Sequence, residues 1–325
     1  MKKAIVSLLI SAFFVYLAVR GVDFNAVIAG IDDIGGGYVL LFLLLMVLMQ
    51  TIRIWRWGLI LAPLAELSKL ELFAVASVGF FAIAALPVRL GELVRPYLLS
   101  RSETVKMSAA LGTIFVERFL DGITVLALAF LALFFAPLPA WLLQANFVFL
   151  GINIVLLVVV IFAVFCRARF DSLLNLIVRR LPATWAAALE RLCCHFLDGL
   201  QVIGDGSRLL QTILLSLLIW LCDALAIYCL FLAFHLSLPP VAALVIMVIL
   251  IVGIAIPAAP GFIGNWHYFC VLGLSLYGVE KAEALAFAVV YHFLAVGLTI
   301  VIGLILLPQL KYSFTELRQA VKKTA

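Results

Sequence analysis

An all-α polytopic membrane protein is the fold class this sequence predicts: about six full transmembrane helices plus two re-entrant helical hairpins, eight hydrophobic segments in one domain, 1–325. Three observations carry that expectation. Of the 325 residues, 67% are hydrophobic and only 12% are charged, whereas a soluble domain carries about 25% charged residues. Runs such as Tyr38–Gln50, Ile123–Ala136 and Phe147–Phe165 approach or reach the roughly 20 apolar residues that cross a bilayer. The lysines and arginines, finally, sort almost completely to one side once two of the apolar segments turn back instead of crossing.

The first apolar stretch, Ala4–Val19, follows Lys2 and Lys3 and is followed by Arg20-Gly21-Val22-Asp23. That junction lacks the small-x-small pattern of a signal peptidase site, so the stretch reads as an uncleaved signal anchor. Full crossings are expected near 4–19, 38–60, 108–135, 147–166, 209–234 and 284–307. With the N-terminus inside, the loop Arg20–Gly37 lies outside, with one arginine against Asp23, Asp32 and Asp33. The second crossing returns beside Arg53 and Arg56, which alternate with Trp55 and Trp57 as an interfacial cationic and aromatic anchor would.

Orientation downstream turns on Leu72–Pro87. If it crossed, Arg89, Arg95, Arg101 and Lys106 would lie outside, together with the loop holding Arg167, Arg169, Arg179, Arg180, Arg191 and Arg208. If it turns back, both basic loops are cytoplasmic. A second hairpin over 241–276, with its apolar arm and break at Val241–Gly264, enters from the other side. Then 19 of the 22 Lys/Arg fall inside, Arg20 and Lys281 outside, and Arg118 within the membrane. The positive-inside rule selects that arrangement, with both termini cytoplasmic in a bacterial-type inner membrane. The two hairpins enter from opposite faces, a loosely inverted order. Irregular backbone at bilayer depth persists only where protein or a water-filled cavity satisfies it, and paired broken segments are a sequence pointer to a transport site.

Between the fourth and fifth crossings, 167–208 is the one long cytoplasmic loop. Leu189, Leu192, Phe196, Leu200 and Ile203 repeat at helical spacing while Arg191, Asp198 and Gln201 lie elsewhere. That fits either an amphipathic helix in the interface or an ordinary basic loop. The six cysteines show no metal-ligand spacing and read as free thiols.

Three motifs and a few single residues carry ionisable or backbone chemistry. In the third crossing, Glu117-Arg118-Phe119-Leu120-Asp121 places two carboxylates on one helical face beside an arginine. Such charges at bilayer depth need partners or water, so the motif is either a polar cavity wall with Arg118 meeting an anion or a neutralised lock between helices. After the first hairpin's arm, Pro87-Val88-Arg89-Leu90-Gly91-Glu92-Leu93-Val94-Arg95 puts Arg89, Glu92 and Arg95 on one face. Two guanidiniums there suit phosphate, unless they form a snorkelling collar. At the second hairpin's tip, Pro257-Ala258-Ala259-Pro260-Gly261-Phe262-Ile263-Gly264 interrupts the helix and predicts a new start after Gly264, whose N-terminus favours an anion. The alternative is a plain turn. Asp223 either faces a cavity or pairs with an arginine, and His267 and His292 are either titrating groups or satisfied structural ones. No metal site, cofactor motif, nucleotide loop or nucleophile with its base is apparent, so neither catalysis nor nucleic-acid binding is expected.

Together these motifs resemble the flippase-like family that forms the membrane half of bacterial lysylphosphatidylglycerol synthases (multiple peptide resistance factor). The matching elements are Arg53-x-Trp55-Arg56-Trp57, Pro87-x-Arg89-x-Gly91-Glu92-x-x-Arg95, Glu117-Arg118-x-x-Asp121 and Pro257-x-x-Pro260-Gly261-x-x-Gly264, in order over about 45 to 305. Many relatives carry a glutamate where this chain has His267 and an arginine where it has His292. The resemblance implies movement of polar-headed lipids between leaflets, here as a stand-alone translocator without the synthase domain. The expected partner is an anionic phospholipid or a polyprenyl-phosphate-linked lipid, and a homo-oligomer is compatible with the pattern. The expected substrate site comprises Arg89, Glu92, Arg95, Glu117, Arg118, Asp121, Pro260, Gly261, Gly264, His267 and His292. The competing expectations are a membrane-embedded transferase with Glu117 or Asp121 as base and an accessory subunit of an envelope enzyme.

Overall fold

The computed structural model describes residues 2–86, 91–101, 105–135, 140–180, 182–256 and 259–310. Arg89, Pro87, Val88 and Leu90 of the first motif and Pro257 and Ala258 of the second hairpin lie outside the described residues, as does the C-terminal stretch 311–325.

Every regular element among the described residues is helical. Helix α1 (Lys2–Val19) ends at a turn and meets α2 (Phe24–Asp32) at 83°. Helix α2 was not foreseen in the loop 20–37; Asp23 starts it by accepting a hydrogen bond from the Asn25 amide at 2.9 Å, the usual work of an N-cap carboxylate. Helix α3 (Gly36–Leu61) crosses next, followed by α4 (Lys69–Ala85) and the short α5 (Val94–Arg101). Then come α6 (Met107–Ala132), α7 (Ala140–Phe165), α8 (Arg167–Val178) and α9 (Ala183–Asp198). The chain closes with α10 (Gly206–Ala233), α11 (Pro240–Ala255), α12 (Asn265–Ser275) and α13 (Lys281–Leu306).

Among the described residues, four helices, α3, α7, α10 and α13, are both long and apolar enough to cross a membrane, and the bent α1–α2 pair makes a fifth candidate. The six crossings expected from sequence differ from that set by α6. At 26 residues and ~1.5 Å per residue it is as long as α3, but it carries Glu117, Arg118 and Asp121 in its middle.

The segment expected as the first hairpin folds back on itself. A Cβ added to Gly91 would come within 2.2 Å of the Ala82 carbonyl carbon and the Ile83 amide nitrogen. A Cβ on Gly79 would meet Arg95 Cγ, also at 2.2 Å. Residue 91 therefore lies against 82, and 95 against 79: α5 retraces α4 in the opposite direction. Only glycine permits backbones to approach this closely. The second hairpin shows the same signature, since Gly253 abuts Phe269 and Gly273 abuts Ile246. Its second arm starts at Asn265, directly after Gly264, as the break predicted.

Helix counting fixes the depth of the tips. Gly264 packs against the Ser11 carbonyl, and the Ala259 amide donates to Ser11 Oγ at 2.7 Å. Ser11 lies about 14 Å into a helix some 27 Å long. His292, which contacts the Gly261 carbonyl, lies about 16 Å into α13. The second hairpin thus ends near mid-depth. The first hairpin reaches it from the other side: α4 packs along α13 and against the Pro260–Phe262 turn, with Gly303 of α13 seated on Phe81 and Ser77. The core that holds both is α3 packed along α10, pinned at one end by the Gly35 amide on the Ala233 carbonyl at 2.9 Å.

The stretch 167–208 comprises α8, α9 and a 3-10 turn, Gln201–Gly204. Helix α9 docks its end on α6 at a glycine pair, where Gly199 meets the Ala109 carbonyl and Gly112. Of the stripe expected to be apolar, Leu200 is buried in that contact while Leu192 stays exposed.

Candidate functional site

Two neighbouring features occupy the middle of the fold: a buried ion cluster and a cavity beside it. The cluster is built on α6. Glu117 is fully buried and receives Arg95 through two hydrogen bonds, Nη1 to Oε2 at 2.8 Å and Nη2 to Oε1 at 3.1 Å. Arg118 also bonds Glu117 Oε1. One turn later, Asp121 accepts from Arg56 Nη1 at 2.6 Å and from the Trp220 indole at 3.1 Å. Arg56 donates from the same nitrogen to Ser216 at 2.7 Å, and its second nitrogen stands 3.9 Å from Glu117. Glu92, half-buried on the first hairpin, acts electrostatically on Arg118.

The cluster therefore ties α3, α5, α6 and α10 together. In a low-dielectric interior such forked guanidinium–carboxylate pairs are strong because neither charge has water as an alternative. Arg56 and Arg95 are shut off from solvent, whereas Arg118 keeps 43% of its side chain exposed. Arg56 is accordingly no interfacial anchor. It is the partner that Asp121 required, and its three-residue spacing from Arg53 was the available signal.

Beside the cluster lies a cavity of about 190 Å3 where the two hairpins meet. Phe80 and Ala84 line it from the first hairpin, and Ile254, Phe262 and Trp266 from the second. Arg53 of α3 and Asp223 of α10 face it, with Trp220, Tyr291 and Thr299 completing the polar and aromatic part of the wall. Phe80 and Trp220 separate cavity from cluster. Arg53 stands 5.5 Å from the Phe80 ring and 5.9 Å from the Trp220 ring, and Arg95 stands 4.9 Å from Phe80. Two guanidiniums on one aromatic ring are a cation–π arrangement that holds the ring in place.

The remaining expected site residues gather at the second hairpin's tip. His292 Nε2 lies 2.6 Å from the Gly261 carbonyl, and the His267 and His292 rings are 4.8 Å apart. Gly261 and Gly264 hold positive φ values of 71° and 92°, a conformation that favours glycine. Asn265 secures the turn by donating to the Gly253 and Ile256 carbonyls, both at 3.1 Å. The structure thus brings Arg95, Glu117, Arg118 and Asp121 together, and separately Pro260, Gly261, Gly264, His267 and His292. The cavity between the two groups is faced by Arg53 and Asp223, which were not in the expected set. Among the described residues, no group of three His, Cys, Asp or Glu is placed to hold a metal.

Comparison with known proteins agrees with this architecture. The family described as the lysylphosphatidylglycerol synthase TM region matches residues 4–303. A UPF0104 membrane protein of Methanothermobacter thermautotrophicus is 25% identical over 296 residues, 86% of this chain and 87% of that protein. UPF0104 membrane protein MJ1078 of Methanocaldococcus jannaschii is 24% identical over 229 residues, 70% of this chain and 92% of its own length. No solved structure matches the chain.

Proposed function

The chain belongs to the lysylphosphatidylglycerol synthase TM region family, and from that premise we propose that it is a lipid translocator, moving a polar-headed, phosphate-bearing lipid between leaflets. The observation that supports this reading most is the meeting of the two hairpins around a cavity that holds ionisable side chains. A headgroup crossing a bilayer needs a polar waypoint where water is absent, and hairpins entering from opposite faces create one without a continuous pore. In this reading Arg118, with Glu92 and Arg95 close by and Arg89 three positions before Glu92 in the sequence, receives the phosphate of the headgroup from the basic face. Glu117 and Asp121 keep that guanidinium oriented. The Pro260–Gly264 turn, with His267 and His292, meets the headgroup from the other side, while the acyl or prenyl chains stay in lipid. We place the basic face, with both termini, at the cytoplasm.

The test is leaflet-resolved lipid movement in proteoliposomes, with Arg118→Ala beside the wild type. Accelerated movement that the variant loses while remaining folded supports the assignment. Full activity in Arg118→Ala removes that residue from the path, and no movement of any lipid by folded wild type removes the translocator reading itself.

A further inference from the structure

The cavity's two charged residues define the headgroup more narrowly than phosphate alone. Among the described residues, neither Arg53 nor Asp223 takes part in a salt bridge, although every other arginine of the central cluster does. Arg53 has one polar contact, a long 3.4 Å hydrogen bond from Nη1 to Gln50, and its buried Nε has no partner. Asp223 is half-buried and the field of Arg53 reaches it, yet the two side chains do not touch. A cation and an anion thus line one small cavity without pairing with each other. An intramembrane charge left so is costly unless a ligand or water completes it.

The rest of the wall divides in the same way. Trp266, nine-tenths buried, lines the cavity and carries an indole N–H without a partner. Arg53, held only by its long contact to Gln50, supplies the donors for an anion. Tyr291 lines the cavity as well, and an aromatic face attracts an ammonium. With Asp223 it supplies the complement for a cation.

We propose that this cavity binds a net-neutral, zwitterionic headgroup, a phosphodiester joined by a short linker to one ammonium group, with the phosphate at Arg53 and the ammonium at Asp223. The proposal rests on the translocator reading and specifies its cargo. A purely anionic headgroup leaves Asp223 facing the phosphate unpaired. A headgroup with two ammonium groups leaves one cation without a carboxylate, since Glu117 and Asp121 are already engaged.

The test is binding rather than transport. Short-chain phosphatidylethanolamine, phosphatidylglycerol and lysylphosphatidylglycerol are titrated into the purified full-length protein in detergent, read by tryptophan fluorescence, for which Trp220 and Trp266 are in place. The ethanolamine lipid is expected to bind ~10-fold tighter than phosphatidylglycerol, the value of one desolvated charge-assisted hydrogen bond. Asp223→Asn should bring the two within ~2-fold, Asp223→Glu should keep the preference, and Arg53→Gln should weaken both. Equal or tighter binding of phosphatidylglycerol, tightest binding of the lysyl lipid, or a preference that survives in Asp223→Asn overturns the proposal. Wild type and Asp223→Glu still decide the matter if the asparagine variant fails to fold. Because nothing is transported, failure here is distinct from the absence of lipid movement in vesicles.

Discussion

The two hairpins reach the same depth from opposite faces, and they are held there by different chemistry. The first is fastened by charge: Arg95 forks onto buried Glu117 and packs its aliphatic stem on Gly79. The second is fastened by neutral groups: Asn265 on two carbonyls, Ser11 on an amide, His292 on Gly261. A buried ion pair has no low-energy alternative once separated. Neutral hydrogen bonds at a turn can be exchanged for water or a headgroup at a net difference of about 1 kcal/mol each. The contrast assigns the first hairpin to the fixed frame and makes the second the element whose contacts can change.

Substitutions can break that contrast, and the largest effect is expected in the fixed frame. Glu117→Ala strands Arg95 and leaves Arg118 only its longer contact to Asp121 at 3.6 Å, so unfolding in detergent should show a loss of ~3–5 kcal/mol. A loss below 1 kcal/mol would mean that the cluster is not what holds α5 to α6. At the second tip, Gly264→Ala adds a Cβ 2.4 Å from the Ser11 carbonyl at a backbone φ of 92°. Overlap and left-handed backbone together should cost ~3 kcal/mol, detectable as a lowered Tm. Asn265→Ala removes two donors from buried carbonyls and should cost ~1–3 kcal/mol, less than the loss of Glu117. If the order of these two effects reversed, the assignment of frame and mobile element would reverse with it. Hydrogen exchange gives the gentlest comparison. Amides of α11 and α12 should exchange faster than those of α4 and α5 in proteoliposomes, and equal protection would erase the distinction.

Much of this arrangement was legible in the chain because backbone breaks are local. Pro260, Gly261 and Gly264 announce an interrupted helix wherever they sit, so the second arm's start at Asn265 followed from three residues. Gly91 similarly marks the reversal after α4, and the lysines and arginines choose between crossing and turning back. The site was only partly legible because its polar groups are completed across the fold. Arg56 reads like an interfacial residue among tryptophans until Asp121, 65 positions away, is placed beside it. Arg53 and Asp223 come from α3 and α10, which run side by side for reasons of packing that no local pattern records. Helix α2 was missed for the opposite reason: Asp23 is a clear N-cap, but nine residues in a short acidic loop carry too weak a periodicity to stand out.

The central claim, that lipid headgroups pass through the cavity where the hairpins meet, is tested most directly by filling that cavity. Ala295 and Thr299 both line it from α13, and Ala295→Phe and Thr299→Phe would each place an aromatic ring in the space. Leaflet-resolved lipid movement should fall to the rate of protein-free vesicles in either variant that retains a wild-type Tm and elution profile. Movement at the wild-type rate with the cavity filled would contradict the claim and place the path elsewhere on the protein.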